Sequence, residues 1–367
     1  MQVKYQPDAI RYVPALTGIR ALAALLVLGL HAEVHVPVGL HSLLPFVARG
    51  YLGVDFFFVL SGFIISHVYL SSLARPNRQA LSIFLWHRLI RIYPVHVAVL
   101  AAMVSLVWVA RGAGILLTNP QEGQAASVFW NLMLMQAWGV ADHPGWNIPS
   151  WSVSAEWFAY LLFPLLAPVL TAVRDRVTAL VVAVLALTAM ALLFAIEGWS
   201  LDSVVGAPAL TRVSGEFLCG AALCRMVAFG PGLPGPGGDV LGAGAFVAFL
   251  VGASLGLPDF SLIALLALTV LGAATSDGFF ARTLGSPAVV WLGEISYSVY
   301  MVHFPVLVAM RRLWVRLGFA EWQTAGRTLA FLATVAVVMT VAALMFHVVE
   351  RPVRSSLRDR WGKLAPA

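Results

Sequence analysis

The sequence predicts an all-α polytopic membrane protein, with about ten transmembrane helices plus a short re-entrant or interfacial helix. Two observations carry this. Of the 367 residues, 60% are hydrophobic and only 11% are charged, at a mean hydropathy of +0.87, whereas soluble domains carry about 25% charged residues. The apolar residues also come in runs of about 20, the length a helix needs to cross a hydrocarbon core about 30 Å thick. In chain order the runs are 16–36, 51–72, 92–111, 153–172, 176–197, 210–229, 238–256, 259–276, 289–310 and 327–350. The stretch 127–139 is too short to cross and reads as the re-entrant or interfacial piece. There is no clear internal repeat and no long polar stretch, so a single transmembrane domain is expected over 1–367.

The formal charge of +6 does not point to nucleic acid, because the basic residues fall in short loops beside the spans. With the N-terminus inside, fifteen of the 23 Lys and Arg residues fall on the cytoplasmic side, Arg75, Arg78, Arg88, Arg91, Arg351 and Arg354 among them. Seven fall opposite: Arg49, Arg111, Arg212, Arg311, Arg312, Arg316 and Arg327. The bias places both termini in the cytoplasm. The tail carrying Lys4, Asp8 and Arg11 precedes a run long enough to span, so it is expected to stay as an anchor. Cys219 and Cys224 lie five apart on one helix and face different ways, so no structural disulfide is expected. The Gly/Pro-rich stretch 230–238 reads as a connector. The segment 112–150 is the longest outer loop, with Asn119, Gln121, Gln124, Trp130, Asn131, Gln136, Trp138, Trp146 and Asn147. These tryptophans suit either sugar stacking or an interfacial aromatic belt.

The chemistry begins in the first span. Arg20 and His31 are ionisable residues in an otherwise apolar run, and a buried Arg costs roughly 2.5–3.5 kcal/mol on insertion scales, so it has a task or a partner. Eleven helical steps return to nearly the same face and separate the two by roughly 16 Å. That arrangement suits a ligand with an anionic end and a reactive end.

Four further groups accompany them. Asp55, at the outer start of span two, stands at a depth near that of His31; it either orients the imidazole or simply favours its own helix N-terminus. Arg88 and Arg91 are three apart and share a face, fitted to grip a phosphate or to anchor on lipid headgroups. Ser152, Glu156 and Tyr160 form a polar stripe one turn apart, for catalysis or for tying helices together. Ser296 and His303 fall on one face, and Pro305 frees backbone groups beside His303, where a cavity is expected. His31 and His35 are four apart, but without His-Glu-x-x-His spacing or nearby cysteines no metal site is expected.

Together these residues resemble the acyltransferase 3 family, integral-membrane acyltransferases that include O-antigen and exopolysaccharide O-acetylases. The matches run in family order over roughly residues 13–354: Leu16-Thr17-Gly18-Ile19-Arg20 with His31, then Gly53-Val54-Asp55-Phe56-Phe57 with Ser61-Gly62-Phe63. Arg88-Leu89-Ile90-Arg91-Ile92-Tyr93-Pro94 follows, then Trp151-Ser152 with Glu156 and Tyr160, Ser296-Tyr297 with Tyr300 and His303, and Glu350-Arg351-Pro352. The family's Phe-Tyr after the glutamate is Ala159-Tyr160 here, which enlarges the expected acceptor pocket. The fused periplasmic esterase-like domain of many polysaccharide O-acetylases is expected to be absent.

The resemblance implies transfer of an acyl group, most simply acetyl, from cytoplasmic acyl-CoA to a hydroxyl facing the periplasm across a bacterial inner membrane. It implies that Arg88 and Arg91 hold the CoA phosphates, with Arg20 above them and Ala23, Ala24 and Val27 lining the path to His31. His31 is then a general base or a transient acyl carrier. Asp55, Glu156, Tyr160, Ser296 and His303 orient the acceptor, polarise the carbonyl or hold His31. The expected partners are acyl-CoA, a hydroxylated carbohydrate acceptor, membrane lipids and polysaccharide-assembly proteins, without a metal. A small-molecule or lipid acceptor fits the same core. A transporter or flippase for a lipid-linked sugar fits the charged spans, though such folds usually carry repeat symmetry.

Overall fold

A computed structural model describes residues 12–112, 125–230 and 236–364. Lys4, Asp8, Arg11, Asn119, Gln121, Gln124 and positions 231–235 of the connector lie outside them. Among the described residues the regular secondary structure is all helical. Its helices are α1 (Pro14–His35), α2 (Leu40–Leu43), α3 (Gly53–Leu73), α4 (Arg78–Gly112), α5 (Ala125–Leu132), α6 (Trp151–Ala172) and α7 (Arg176–Glu197). There follow α8 (Ala207–Val227), α9 (Pro236–Ser254), α10 (Asp259–Thr275), α11 (Phe279–Leu284), α12 (Pro287–Arg316), α13 (Thr324–Met345) and α14 (Arg351–Leu364).

Each expected span has a long helix. Among the described residues, eight helical segments are long and apolar enough to cross a membrane. The other two are α8, whose hydropathy Arg212 and Glu216 depress, and α10, with 17 residues. The expected span 92–111 is a longer helix that begins at Arg78, because nothing upstream of Pro94 breaks it. Arg88 and Arg91 are therefore mid-helix residues rather than loop charges. Asp175 caps α7, accepting from the Thr178 amide at 2.8 Å, and Gly198 closes it in the left-handed conformation.

Two close approaches set the geometry of the site. A Cβ on Gly293 of α12 would overlap the Thr17 carbonyl of α1, so these two helices run side by side in register. Gly62 of α3 and Gly220 of α8 each face the other helix's backbone, at Phe217 and Val59, which brings α3 and α8 into close contact.

The segment expected to be re-entrant contains α5 and a turn at Leu134 (φ 56°) that folds onto the start of α6. The Ser154 hydroxyl donates to the Leu134 carbonyl and accepts from the Ala137 amide, and Gln136 donates to Ser150. Asn131 donates to the Ser127 and Pro144 carbonyls. The loop's amides and Trp146 are thus buried. Asn131, Gln136, Trp146 and Asn147 therefore do not offer a sugar-stacking surface: they are buried and their side-chain N–H groups donate within the protein.

Candidate active site

A partly open cavity of about 130 Å³ lies among α1, α3, α4, α6 and α12. It brings together Arg20, Arg88, Arg91, Glu156 and Tyr160, with Ser61, Ser152, Tyr297 and Tyr300 completing its polar wall. Phe57, Phe58, Ile64 and Ile65 supply the apolar side. Arg91 is held by Glu350, whose second oxygen accepts from the Ser298 hydroxyl at 2.7 Å. A π-helical turn, Phe346–Glu350, carries this carboxylate into the bundle. Arg88 donates to the Tyr69 hydroxyl at 3.2 Å and lies 6.0 Å from the Tyr160 ring centre. Its Nε is buried without a partner. Around the Arg20 guanidinium stand Arg91, Glu350, Glu156 and Tyr160. Three guanidinium groups thus crowd one space, an arrangement suited to an anion with several charged oxygens.

Glu350 was visible in the sequence only as part of a family motif. Its signal is an acid closing an apolar run. Tyr297 and Tyr300 follow from the i, i+3 spacing that also reaches His303.

The imidazoles sit apart from the arginines. His31 and His303 face each other across the α1–α12 seam, with ring centres 5.0 Å apart. The His31 Nδ1 bonds the Val27 carbonyl at 2.9 Å, and the His303 Nδ1 bonds the Tyr300 carbonyl. Pro305 lacks an amide hydrogen, and the Asn147 side chain donates to the Met301 carbonyl four residues before it at 3.0 Å. The Ser296 hydroxyl, fully buried, donates to the Gly293 carbonyl of its own helix.

Asp55 departs from the expected geometry. Its carboxylate is gripped bidentately by Arg212 of α8, at 2.8 and 2.6 Å. Arg212 also donates to the Leu201 carbonyl at 2.8 Å and lies 5.2 Å over the Trp151 ring. The fork engages both carboxylate oxygens, and Asp55 is thereby bound to α8 rather than to His31. Two readings are corrected at once: Asp55 does not orient the imidazole, and Arg212, 2% exposed, is not an outer-loop charge. Glu216, one turn along α8, approaches Arg212 at 3.9 Å. Both cysteines of that helix are free. Among the described residues, no group of three or more His, Cys, Asp or Glu is placed to hold a metal.

Fold and site define a polytopic membrane protein with an interior cavity lined by three arginines and apolar side chains, next to a pair of facing imidazoles. Sequence comparison gives the class its name, since the acyltransferase domain of the acyltransferase 3 family matches residues 13–347. The chain belongs to this family of membrane acyltransferases.

It is 30% identical over 375 residues to the acyltransferase MdmB of Streptomyces mycarofaciens, covering 94% of this chain and 92% of that protein. It is 25% identical over 378 residues to the putative peptidoglycan O-acetyltransferase YrhL of Bacillus subtilis, covering 94% of this chain and 55% of that protein. Identity to the O-acetyltransferase OatA of Staphylococcus aureus is 22% over 390 residues, covering 96% and 58%. The chain thus spans little more than half the length of the last two relatives. No solved structure matches it.

Proposed function

We propose that this protein moves an acyl group, most simply acetyl, from cytoplasmic acyl-CoA to a hydroxyl on the far side of the membrane. The observation that carries the reading is the convergence of Arg20, Arg88 and Arg91 on one cavity with apolar walls. Coenzyme A has phosphates at one end and a thin pantetheine arm at the other. The guanidinium groups would bind the phosphates, and the arm would run along α1 toward His31. Helix geometry gives roughly 16 Å for that path from Arg20.

His31 serves the hydroxyl as general base or carries the acyl group in passing, a contribution of roughly 10²–10⁴ in rate for base catalysis. Glu156 and Tyr160 orient the reactants. The acceptor we favour is a carbohydrate hydroxyl, as the name of the Bacillus subtilis relative, a putative peptidoglycan O-acetyltransferase, suggests, in a bacterial inner membrane with both chain termini cytoplasmic. The inward packing of Asn131, Gln136 and Trp146 favours a second reading, a small-molecule or lipid acceptor, which needs no extended sugar-binding loop. Profiling labelled products from membranes given radiolabelled acetyl-CoA separates the two.

The test of the main reading is sidedness. In oriented proteoliposomes, acetyl-CoA confined to the cytoplasmic-facing compartment should acylate an acceptor supplied only outside. Product forming only when both share a compartment would overturn it. His31→Ala should lower transfer by roughly 10²–10⁴ with insertion intact, and wild-type product from that variant removes His31 from the mechanism.

A further inference from the structure

Tyr297, Tyr300 and His303 succeed one another at three-residue steps along α12, each next to the one before it on a row that winds slowly around the helix. The first two line the cavity. His303 stands next, its ring 5.6 Å from that of Tyr300, and it is only 1% exposed. Beyond it lies His31, half-buried, and then Phe304 with His35. From the cavity outward the order is therefore Tyr300, His303, His31.

Hydrogen bonding fixes both tautomers. Each Nδ1 meets a backbone carbonyl, which has lone pairs and nothing to donate. Each Nδ1 therefore carries the proton, and each Nε2 carries the lone pair. The Nε2 of His303 is buried and has no hydrogen-bond partner. A buried orphan of this kind is rare and calls for a purpose. A lone pair engaged by no donor keeps its full nucleophilicity.

We propose that His303 is the acyl carrier and His31 the base. This inference rests on the acyl-CoA reading and divides its two histidine roles. A single Nε2 cannot hold an acyl group and take a proton at the same moment. Two in series can, with the inner one facing the donor and the outer one reachable by the acceptor. Asp55 does not substitute for either, since it is taken by Arg212. The other groups facing the pair are Tyr300 and His35, the latter beside Arg311.

In the first step the His303 Nε2 lone pair bonds to the thioester carbonyl carbon. The C–S bond breaks and the thiolate leaves with its electrons. In the second step the acceptor O–H gives its proton to His31 Nε2, the oxygen bonds to the acyl carbon, and the C–N bond electrons return to His303. The proton passes from His31 to the thiolate, so the sum is thioester plus alcohol giving ester plus thiol.

The experiment uses the full chain in nanodiscs with radiolabelled acetyl-CoA and no acceptor but water. Wild type should release CoA continuously and slowly. His31→Ala should release one equivalent and keep one acetyl per chain on His303, located by peptide mass and removed by hydroxylamine. His303→Asn, whose side-chain amide still donates to the Tyr300 carbonyl, should show neither burst nor label while binding CoA with unchanged affinity. Label on another residue overturns the assignment, as does transfer by His303→Asn within tenfold of wild type. Absence of CoA release from every variant, wild type included, overturns the acyl-CoA reading itself. Release by wild type with no label on His31→Ala overturns the carrier alone.

Discussion

Arg212 and Arg20 are both arginines in the middle of helices within one bundle, and they meet opposite surroundings. Arg212 is enclosed: both oxygens of Asp55, the Leu201 carbonyl and the Trp151 face occupy its planar fork. Arg20 opens onto a cavity shared with Arg88 and Arg91, where cations outnumber the carboxylate, Glu156, that lines it. A buried charge whose partners all come from the protein holds helices together. Charges that converge on a cavity and outnumber the carboxylates beside them keep binding capacity for something that arrives. The contrast marks Arg212 as scaffold and Arg20 as a candidate site residue without reference to any relative.

Replacing Arg212 with Ala should have the largest effect on stability. It strands Asp55 and Glu216, both 0% exposed, and breaking a buried pair costs about 3–5 kcal/mol. Thermal unfolding in detergent should show little folded protein, and a variant as stable as wild type would dissolve the distinction. Arg20→Ala should instead leave the unfolding temperature near wild type and abolish transfer. Arg20→Lys should be poor as well, because an ammonium loses the fork geometry. If lysine restores full activity, Arg20 acts only as a point charge.

Arg88→Ala and Arg91→Ala sharpen the contrast at an intermediate scale. Each removes a charge-assisted contact worth about 1.5–3 kcal/mol, so calorimetry with a non-hydrolysable acyl-CoA should show affinity falling roughly tenfold or more, less at high salt. Unchanged affinity in the double variant would reassign the pair to lipid anchoring. Ser152→Ala should have the smallest effect. It removes the 2.7 Å hydroxyl contact with Tyr300, worth about 0.5–1.5 kcal/mol, and KM for the donor should rise by less than about tenfold.

The arginines were legible because a charge in an apolar run is conspicuous wherever it falls. Arg20, Arg88, Arg91, Glu156 and Tyr160 could each be named as site candidates from that fact and from helical spacing. Their company could not. Arg91 lies 259 residues from Glu350, and no periodicity links positions so far apart. Asp55 shows the same limit, since depth along its helix suggested His31 whereas direction around the bundle gave it Arg212, 157 residues away.

By itself the sequence determined the helical class, the approximate place of each span and the polar residues within them. Hydrophobic burial and the 3.6-residue repeat act locally, within a single helix. The tertiary structure alone decided which face of each helix meets which neighbour. Glycine contacts such as Gly293 against Thr17 set α1 beside α12 and so paired His31 with His303. Close packing leaves room for only one such arrangement, and that arrangement turned scattered charges into a buried clamp in one place and an open cavity in another.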